Sequence, residues 1–199
     1  MTDAAPRAKD RMTVRDFLVR QRVTISLFVF SSLILKDLVT GTRPHDTGNF
    51  HDPLAVTGLV TVLIGLAIRS WAAGVINKTK VLATTGPYRM CRHPLYLGSL
   101  MMMFGFCVLV GSLLDACVVF GPVLAIYLLT IQREERRLAA RHGVAWAQYA
   151  AAAPQFFPYR PFLELRCDWS LAQWLNNREY KAALTATASL LALHVWRLL

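Results

Sequence analysis

The sequence predicts an all-α integral membrane protein with about five transmembrane helices. Of its 199 residues, 55% are hydrophobic and 17% are charged, whereas a soluble domain usually carries about a quarter charged residues. Its mean hydropathy is also positive. Long apolar stretches recur along the chain, and about 20 helical residues suffice to cross roughly 30 Å of hydrocarbon. This composition excludes a disordered chain, and its four cysteines do not indicate a disulfide scaffold.

Four apolar stretches supply the predicted spans. Lys36 and Asp37 interrupt the first stretch near its end, where they are expected to pair or to reach the interface. The third stretch is too long for one helix and is interrupted by Gly111 and Asp115, so it is predicted to be a tight hairpin of two spans that turns near 111–116. The stretches are 23–39, 54–76, 95–131 and 182–199, of which the last is Ala-rich and weaker.

The basic residues predict the orientation in the membrane. The chain has 22 Lys and Arg against 12 Asp and Glu, a formal charge of +10. With a cytoplasmic N-terminus and five spans, 19 of the 22 basic residues lie on the cytoplasmic side, as the positive-inside rule requires. The charge is therefore attributed to topology and not to nucleic acid binding, and the C-terminus is expected outside. The first 22 residues contain no apolar signal segment, which favours a bacterial inner membrane.

Two cytoplasmic segments concentrate the residue types that carry chemistry. The first, residues 86–98, reads Gly-Pro-Tyr-Arg-Met-Cys-Arg-His-Pro-Leu-Tyr-Leu-Gly. Its Gly-Pro pair marks a turn, and its second proline suits the start of a helix. The second segment, Arg133-Glu134-Glu135, lies at the inner end of the fourth span. Because the two open ends of a helical hairpin are adjacent, these segments are expected to meet in space.

These motifs resemble the isoprenylcysteine carboxyl methyltransferase family and the related phospholipid methyltransferases. The resemblance covers residues 80–160, in which four separate motifs occur in the right order. It differs from some members at Thr130 and Gln155, where those members carry arginine. The matching pattern is G-P-Y-R-x-x-R-H-P-x-Y-x-G, a helical hairpin, E-E-x-x-L, Gly143-x-x-Trp146-x-x-Tyr149 and Pro154-x-Phe156-Phe157-Pro158.

The resemblance implies an enzyme that transfers a methyl group from S-adenosylmethionine to a lipophilic acceptor entering from the bilayer. The cofactor would lie in a pocket of the helical hairpin at the cytoplasmic face, where carboxylates suit its cationic groups and arginine suits its carboxylate. Residues 143–158 are expected to roof this pocket. The implied cofactor-binding residues are Tyr88, His93, Tyr96, Leu97, Gly98, Glu134 and Glu135, and the implied catalytic residues are Arg92, Glu135 and Arg133.

The predicted organisation has four parts. Residues 1–22 form a basic cytoplasmic segment, and residues 23–76 form two transmembrane helices. Residues 77–160 are the methyltransferase-like catalytic region with its transmembrane hairpin. Residues 161–199 contain an interfacial amphipathic helix, for which Asp168 is the expected N-cap, and a C-terminal transmembrane helix.

Two other functions remain open at this point. An NADPH-dependent sterol-type reductase has a similar Arg-His-Pro ending, although such enzymes are much longer. A non-enzymatic membrane scaffold would leave the one-sided concentration of polar and aromatic residues unexplained. Taken apart from the motif, Glu134 and Glu135 would be helix-surface partners of neighbouring arginines. The sequence leaves the identity of the acceptor and the oligomeric state open.

Several residues outside these motifs also carry expectations. Arg69 is the one ionised residue in the second span, and such a charge usually faces a polar cavity. Small residues are expected to open a lipid entrance between the helices. No metal is predicted, because the histidines and aspartates of the outer loop match no standard ligand spacing. The lipid-entrance residues are Gly65, Gly98 and Gly105, and the outer-loop residues are His45, Asp46, His51 and Asp52.

Overall fold

The computed structural model describes residues 32, 35–37, 39–77, 81–157 and 167–198. This part of the chain is all-helical and contains no strand. The helices are α1 (Pro53–Val75), α2 (Pro87–Met90), α3 (Pro94–Val110), α4 (Leu113–His142), α5 (Val144–Ala152), α6 (Leu171–Asn176) and α7 (Tyr180–Leu198).

Helices α1 and α3 pack against each other along a seam of glycines. A Cβ atom built on Gly65 would lie 2.6 Å from the carbonyl oxygen of Gly98, and one on Gly105 would lie 2.6 Å from the carbonyl oxygen of Gly58. The pairing of 58 with 105 and of 65 with 98 makes the two helices antiparallel. Backbone lies against backbone at both pairs, so the seam is closed. The close helix packing expected of Gly65, Gly98 and Gly105 is therefore confirmed, and the lipid entrance expected beside it stays a prediction, although these glycines themselves leave no gap.

The predicted hairpin is confirmed as α3 and α4. Gly111 ends α3 with a φ of +77°, which glycine adopts at low cost. Ser112 then caps α4 by accepting a hydrogen bond from the backbone N–H of Asp115 at 3.2 Å. Phe104 and Phe120 pack edge to face between the two helices, with ring centroids 6.2 Å apart.

Two of the described helices are long and apolar enough to cross a membrane, α1 and the segment Leu114–His142 of α4. Helix α3 is apolar but shorter, and α7 covers the predicted last span. The predicted first span, 23–39, lies mostly outside the described residues. The described residues, all-helical and with two such helices, are consistent with a helical membrane protein, and the count of five spans stays a prediction. At 30 residues, α4 is about 45 Å long.

The segment before α6 departs from its sequence prediction. Ser170 is the residue at the N-cap, so the assignment of Asp168 was wrong by two positions. The indole N–H of Trp169 donates to the carbonyl oxygen of Ser70 at 3.1 Å, and its ring lies directly over Gly74. These contacts hold the chain extended across the end of α1, and α6 begins only after them.

An ionic cluster lies near the N-terminal end of α4. The ammonium of Lys36 is 2.7 Å from the carboxylate of Asp37 and 2.6 Å from that of Asp115. Both carboxylates are buried. The expected pairing of Lys36 at this point of the chain is confirmed, and it joins the described helical residues 35–37 to the start of α4.

Candidate active site

A cavity of about 420 Å³ lies where the end of α1, the loop before α3, the last part of α4 and the start of α5 come together. This volume falls in the range of small-molecule sites. Six of the residues predicted for the site line it: Tyr88, Arg92, His93, Tyr96, Arg133 and Glu134.

The loop before α3 takes the shape that its sequence predicts. Gly86 has a φ of +57°, and a Cβ atom there would meet the side chain of Cys167 at 2.8 Å, so glycine serves both the turn and the close approach. His93 precedes Pro94, and α3 begins at that proline. The loop thus delivers Tyr88, Arg92 and His93 to the cavity wall.

Glu135 joins this loop to α4. Its Oε1 atom lies 2.9 Å from Nε2 of His93 and 3.1 Å from Nη1 of Arg92, and Nε2 of Gln155 donates to the same oxygen at 3.5 Å. The imidazole of His93 is 3% exposed. The predicted meeting of the Arg-His-Pro segment with the acidic pair is therefore confirmed, and a charge-assisted contact is the link.

The two glutamates of the acidic pair differ in position. Glu134 lines the cavity, whereas Glu135 is not among the lining residues and holds His93 and Arg92 from behind. Leu97 and Gly98 also lie on α3 outside the lining, and a Cβ atom on Gly98 would meet the backbone of α1. The structure thus gathers the loop residues and Glu134 around the cavity and places Leu97, Gly98 and Glu135 behind its wall.

Aromatic rings supply much of the rest of the wall. The ring of Tyr96 packs edge to face against His93 at 5.8 Å and against Tyr127 at 5.5 Å. Trp146 and Tyr149 on α5 form another edge-to-face pair at 5.8 Å, and both line the cavity. Aromatic faces attract cations that have left water, so this wall suits a sulfonium or an ammonium group.

The predicted roof, residues 143–158, is confirmed in part, because Trp146 and Tyr149 line the cavity whereas Phe156 and Phe157 do not. The hydroxyl of Tyr149 donates to the carbonyl oxygen of Tyr88 at 2.6 Å. The backbone N–H of Arg92 donates to the carbonyl oxygen of Pro154 at 2.8 Å. The expected contribution of Phe157 is wrong, because its side chain is 80% exposed, and Pro158 lies outside the described residues.

Comparison with known proteins identifies the family to which this chain belongs. The model of the phospholipid methyltransferase family matches residues 54–143. The chain is also 31% identical over 159 residues to the cobalt-zinc-cadmium resistance protein CzcN of Cupriavidus metallidurans, a match that covers 78% of this chain and 72% of that one. The chain belongs to the phospholipid methyltransferase family.

A second relative matches a similar share of the chain. The nickel-cobalt-cadmium resistance protein NccN of Alcaligenes xylosoxydans xylosoxydans is 33% identical over 144 residues, which covers 71% of this chain and 67% of that protein. No solved structure matches the chain significantly. The resemblance stated from the loop, the hairpin and the acidic pair is thus confirmed at the level of the family, whose members are methyltransferases that generally use S-adenosylmethionine.

The cavity of this phospholipid methyltransferase family member fits that cofactor. Oη of Tyr88 and Nε of Arg92 are buried without a hydrogen-bond partner in the described part of the chain, and such groups need a partner. Burial, and next the charge of Glu134, raises the pKa of the Tyr88 phenol well above its usual value, so the hydroxyl stays a donor. The cavity wall therefore offers hydrogen-bond donors for the carboxylate of the cofactor. It also offers one acid, Glu134, for the cationic groups.

The sequence reasoning missed two arginines of the wall. Arg137 and Arg141 line the cavity together with Arg133, and the three are spaced by four residues along α4, which puts them on one helix face. That spacing was a readable signal once Arg133 had been chosen. The missed loop residues Val81, Leu82 and Ala83 carry no such signal.

Three residues singled out by the sequence lie elsewhere. Arg69 does not line the cavity and instead pairs with Glu179, with Nε and Oε1 2.7 Å apart. Nδ1 of His45 lies 2.7 Å from the carboxylate of Asp52, which also caps α1 by accepting from the N–H of Leu54 at 2.9 Å. Across the described ranges, His, Cys, Asp and Glu form no group of three or more that is suited to a metal ion.

Proposed function

We propose that this protein is a membrane-embedded methyltransferase that moves a methyl group from S-adenosylmethionine to a lipophilic acceptor. One observation carries the proposal: the family's loop residues and Glu134 line a single cavity at the end of the hairpin. Membership of the phospholipid methyltransferase family supports the reaction class.

The wall residues have complementary roles in this proposal. S-adenosylmethionine supplies an electrophilic methyl group on a sulfonium when it is bound. Glu134 and the rings of Tyr96 and Trp146 hold the cationic part, while Arg92 and Arg133 hold the carboxylate. Alignment of the two reactants and exclusion of water supply most of the rate enhancement in such a transfer.

Glu135 acts in this proposal by fixing Arg92 and His93, since its Oε1 atom contacts both side chains. A proton acceptor is needed only for an acceptor molecule that must lose a proton. The roof formed by α5 keeps water away from the reacting atoms, because Trp146 is buried there and the hydroxyl of Tyr149 is hydrogen-bonded to the carbonyl oxygen of Tyr88.

The location follows from the same proposal. The protein lies in a bacterial inner membrane with a cytoplasmic N-terminus, where S-adenosylmethionine is available and membrane lipids surround the acceptor. The distribution of 19 of 22 basic residues supports this orientation. Reporter fusions at the N-terminus and after Leu199 test it, and an N-terminal fusion that reads outside contradicts the orientation.

The decisive experiment measures cofactor binding to the purified protein in lipid nanodiscs. S-adenosylhomocysteine at 100 times its Kd raises the unfolding free energy by about 2.7 kcal/mol, whereas NADPH leaves the melting temperature unchanged. Tritium from the labelled methyl group of S-adenosylmethionine passes into the organic phase of a membrane lipid extract. Stabilisation by NADPH alone contradicts the proposal and favours a reductase.

Matched variants tie this result to the cavity. Arg133→Gln weakens binding of S-adenosylhomocysteine by roughly tenfold, the effect of losing a charge-assisted contact. Arg136→Gln serves as its control, because Arg136 is exposed on the same helix and does not line the cavity. Equal affinities of both variants and the wild type contradict the assignment of the cavity.

We also propose a role in resistance to divalent metal ions, supported by two relatives that are named as resistance proteins for cobalt, zinc, cadmium and nickel. Deletion of the gene then lowers growth in the presence of these ions. The wild-type gene restores growth, and the Glu134→Gln variant does not. A deletion strain as resistant as its parent contradicts this role.

A further inference from the structure

The segment that contains α6 binds the C-terminal end of α1. Nδ2 of Asn177 donates to the carbonyl oxygens of Ala73 at 2.8 Å and of Ile76 at 3.0 Å. The backbone N–H of Ser170 donates to the carbonyl oxygen of Gly74 at 2.9 Å. These are carbonyls that the end of a helix leaves without partners, so the segment completes α1 immediately before Ile76 and Asn77, which line the cavity.

A buried ion pair extends this connection to α3. Nε and Nη2 of Arg69 donate to the two carboxylate oxygens of Glu179, at 2.7 and 3.0 Å. The carboxylate is 4% exposed, so it has left water almost completely. Nη1 of the same arginine donates to the carbonyl oxygen of Leu95 at 3.4 Å and to the hydroxyl of Ser99. One guanidinium therefore joins α1, the first turn of α3 and the residue that precedes α7.

We propose that Glu179 is a positioning residue for the cofactor cavity, acting through Arg69 on the first turn of α3. That turn carries Tyr96 and follows His93, and both side chains line the cavity. A planar guanidinium has donors in fixed directions, so its bidentate contact with Glu179 fixes where Nη1 meets α3. The inference rests on the proposed function, and it concerns a residue outside the family match, which ends at residue 143.

The geometry separates this role from a simple contribution of charge. If only charge mattered, a lysine at position 69 would pair with the carboxylate of Glu179 as well as the arginine does. A lysine ammonium is a single compact group, and it cannot contact the carboxylate and the first turn of α3 as the three nitrogen atoms of Arg69 do. Arg69→Lys should therefore behave like Glu179→Gln.

The test uses the full-length protein in nanodiscs with two readouts. The first readout is amide hydrogen exchange in α3 without any ligand, where Glu179→Gln accelerates exchange in residues 95–99 more than in the second half of the helix. The second readout is the Kd of S-adenosylhomocysteine, measured well below the lowest melting temperature. We expect roughly three- to thirtyfold weaker binding, the usual range for coupling through a packed network.

Controls make the result specific. Asp168→Asn removes an exposed carboxylate from the same segment, and it should leave both readouts unchanged. The double variant Arg69→Gln/Glu179→Gln should bind S-adenosylhomocysteine no more weakly than the weaker-binding single variant. The reason is that the two substitutions remove the same interaction.

The two hypotheses fail in different ways. Unchanged exchange at residues 95–99 in Glu179→Gln overturns the positioning role, whatever the cofactor. A lower melting temperature with unchanged Kd and unchanged exchange also overturns it and leaves Glu179 as a stabilising residue alone. Absence of binding to the wild type contradicts the proposed function, while the exchange readout still decides the role of Glu179.

Discussion

Substitution of one glycine in the α1–α3 seam tests the packing on which the cavity depends. In Gly98→Ala, the new Cβ atom would lie 2.5 Å from the carbonyl oxygen of Gly65 and 3.1 Å from the backbone nitrogen of Arg69. Backbone atoms of a helix cannot turn aside as a side chain can. The two helices must therefore separate, by roughly the half to one ångström that restores ordinary van der Waals distances.

The expected magnitude follows from two opposing effects. Overpacking of a close-packed interface usually costs about 1–3 kcal/mol, and alanine recovers up to about 1 kcal/mol through its helix propensity. We therefore expect Gly98→Ala to lower the unfolding free energy by about 1–2 kcal/mol. For a chain of this size that lowers the melting temperature by about 2–8 °C.

Gly58→Ala provides the graded comparison on the same seam. The nearest atoms to its Cβ are side-chain atoms of Leu109, at 2.7 Å, and the carbonyl oxygen of Gly105 lies at 3.0 Å. A leucine side chain adjusts more easily than a backbone, so this variant should lose less stability than Gly98→Ala. Thermal unfolding in detergent measures both. A Gly98→Ala protein as stable as the wild type, or less destabilised than Gly58→Ala, would refute the reasoning.

The same substitution should also weaken cofactor binding. Gly98 lies two residues after Tyr96 on α3, and its substituent would meet the side chain of Arg69 at 2.6 Å. Movement of this turn displaces Tyr96 from the cavity wall. Affinity for S-adenosylhomocysteine and stability should therefore fall together, and a fall in stability alone would separate the seam from the site.

Three further predictions concern the roof and the loop. Tyr149→Phe removes the 2.6 Å hydrogen bond to the carbonyl of Tyr88 and should cost about 1–2 kcal/mol of unfolding free energy, measured by chemical denaturation. Glu135→Gln weakens the contacts to Arg92 and His93 and should raise the Kd of S-adenosylhomocysteine about tenfold; an unchanged Kd would show that the loop is held by other contacts. Burial raises the pKa of the Cys91 thiol from 9.0 to about 11, so between these pH values the unfolded chain loses a proton that the folded chain keeps, and stability should fall with rising pH. Cys91→Ser should flatten this part of the pH profile.

Local sequence signals predicted the hairpin and the loop well. Pro94 begins α3 and Gly111 ends it, and the backbone preferences of these two residues suffice to predict both ends. The meeting of Glu135 with His93 follows from the geometry of a hairpin. The pairing of Arg69 with Glu179 joins residues 110 positions apart, and no periodicity connects them. The sequence predicted that Arg69 faces a polar cavity, whereas the structure pairs it with Glu179 away from the cavity lining.

The errors have a common physical cause. Asp168 is a good N-cap by composition, but the contacts of Trp169 with the end of α1 delay the helix to Ser170. Gly65 and Gly105 were expected to allow both close packing and a gap for a lipid, and the facing backbone of the partner helix leaves only the close packing at these two positions. In each case a tertiary contact decided between two outcomes that the local sequence permits equally.

Under the proposed function, the length of α4 has a consequence for where the cofactor and the acceptor meet. Measured along the axis from its first residue, Thr130 lies at about 26 Å and His142 at about 44 Å, and both line the cavity. Suppose that α4 begins at the outer limit of a hydrocarbon layer roughly 30 Å thick. The floor of the cavity at Thr130 then lies just inside the hydrocarbon, and its top at His142 lies in the headgroup region or in water. Under the proposed function, a lipid acceptor would then present its reactive group from the side without leaving its own leaflet, and the soluble cofactor would arrive from the aqueous side without entering the hydrocarbon.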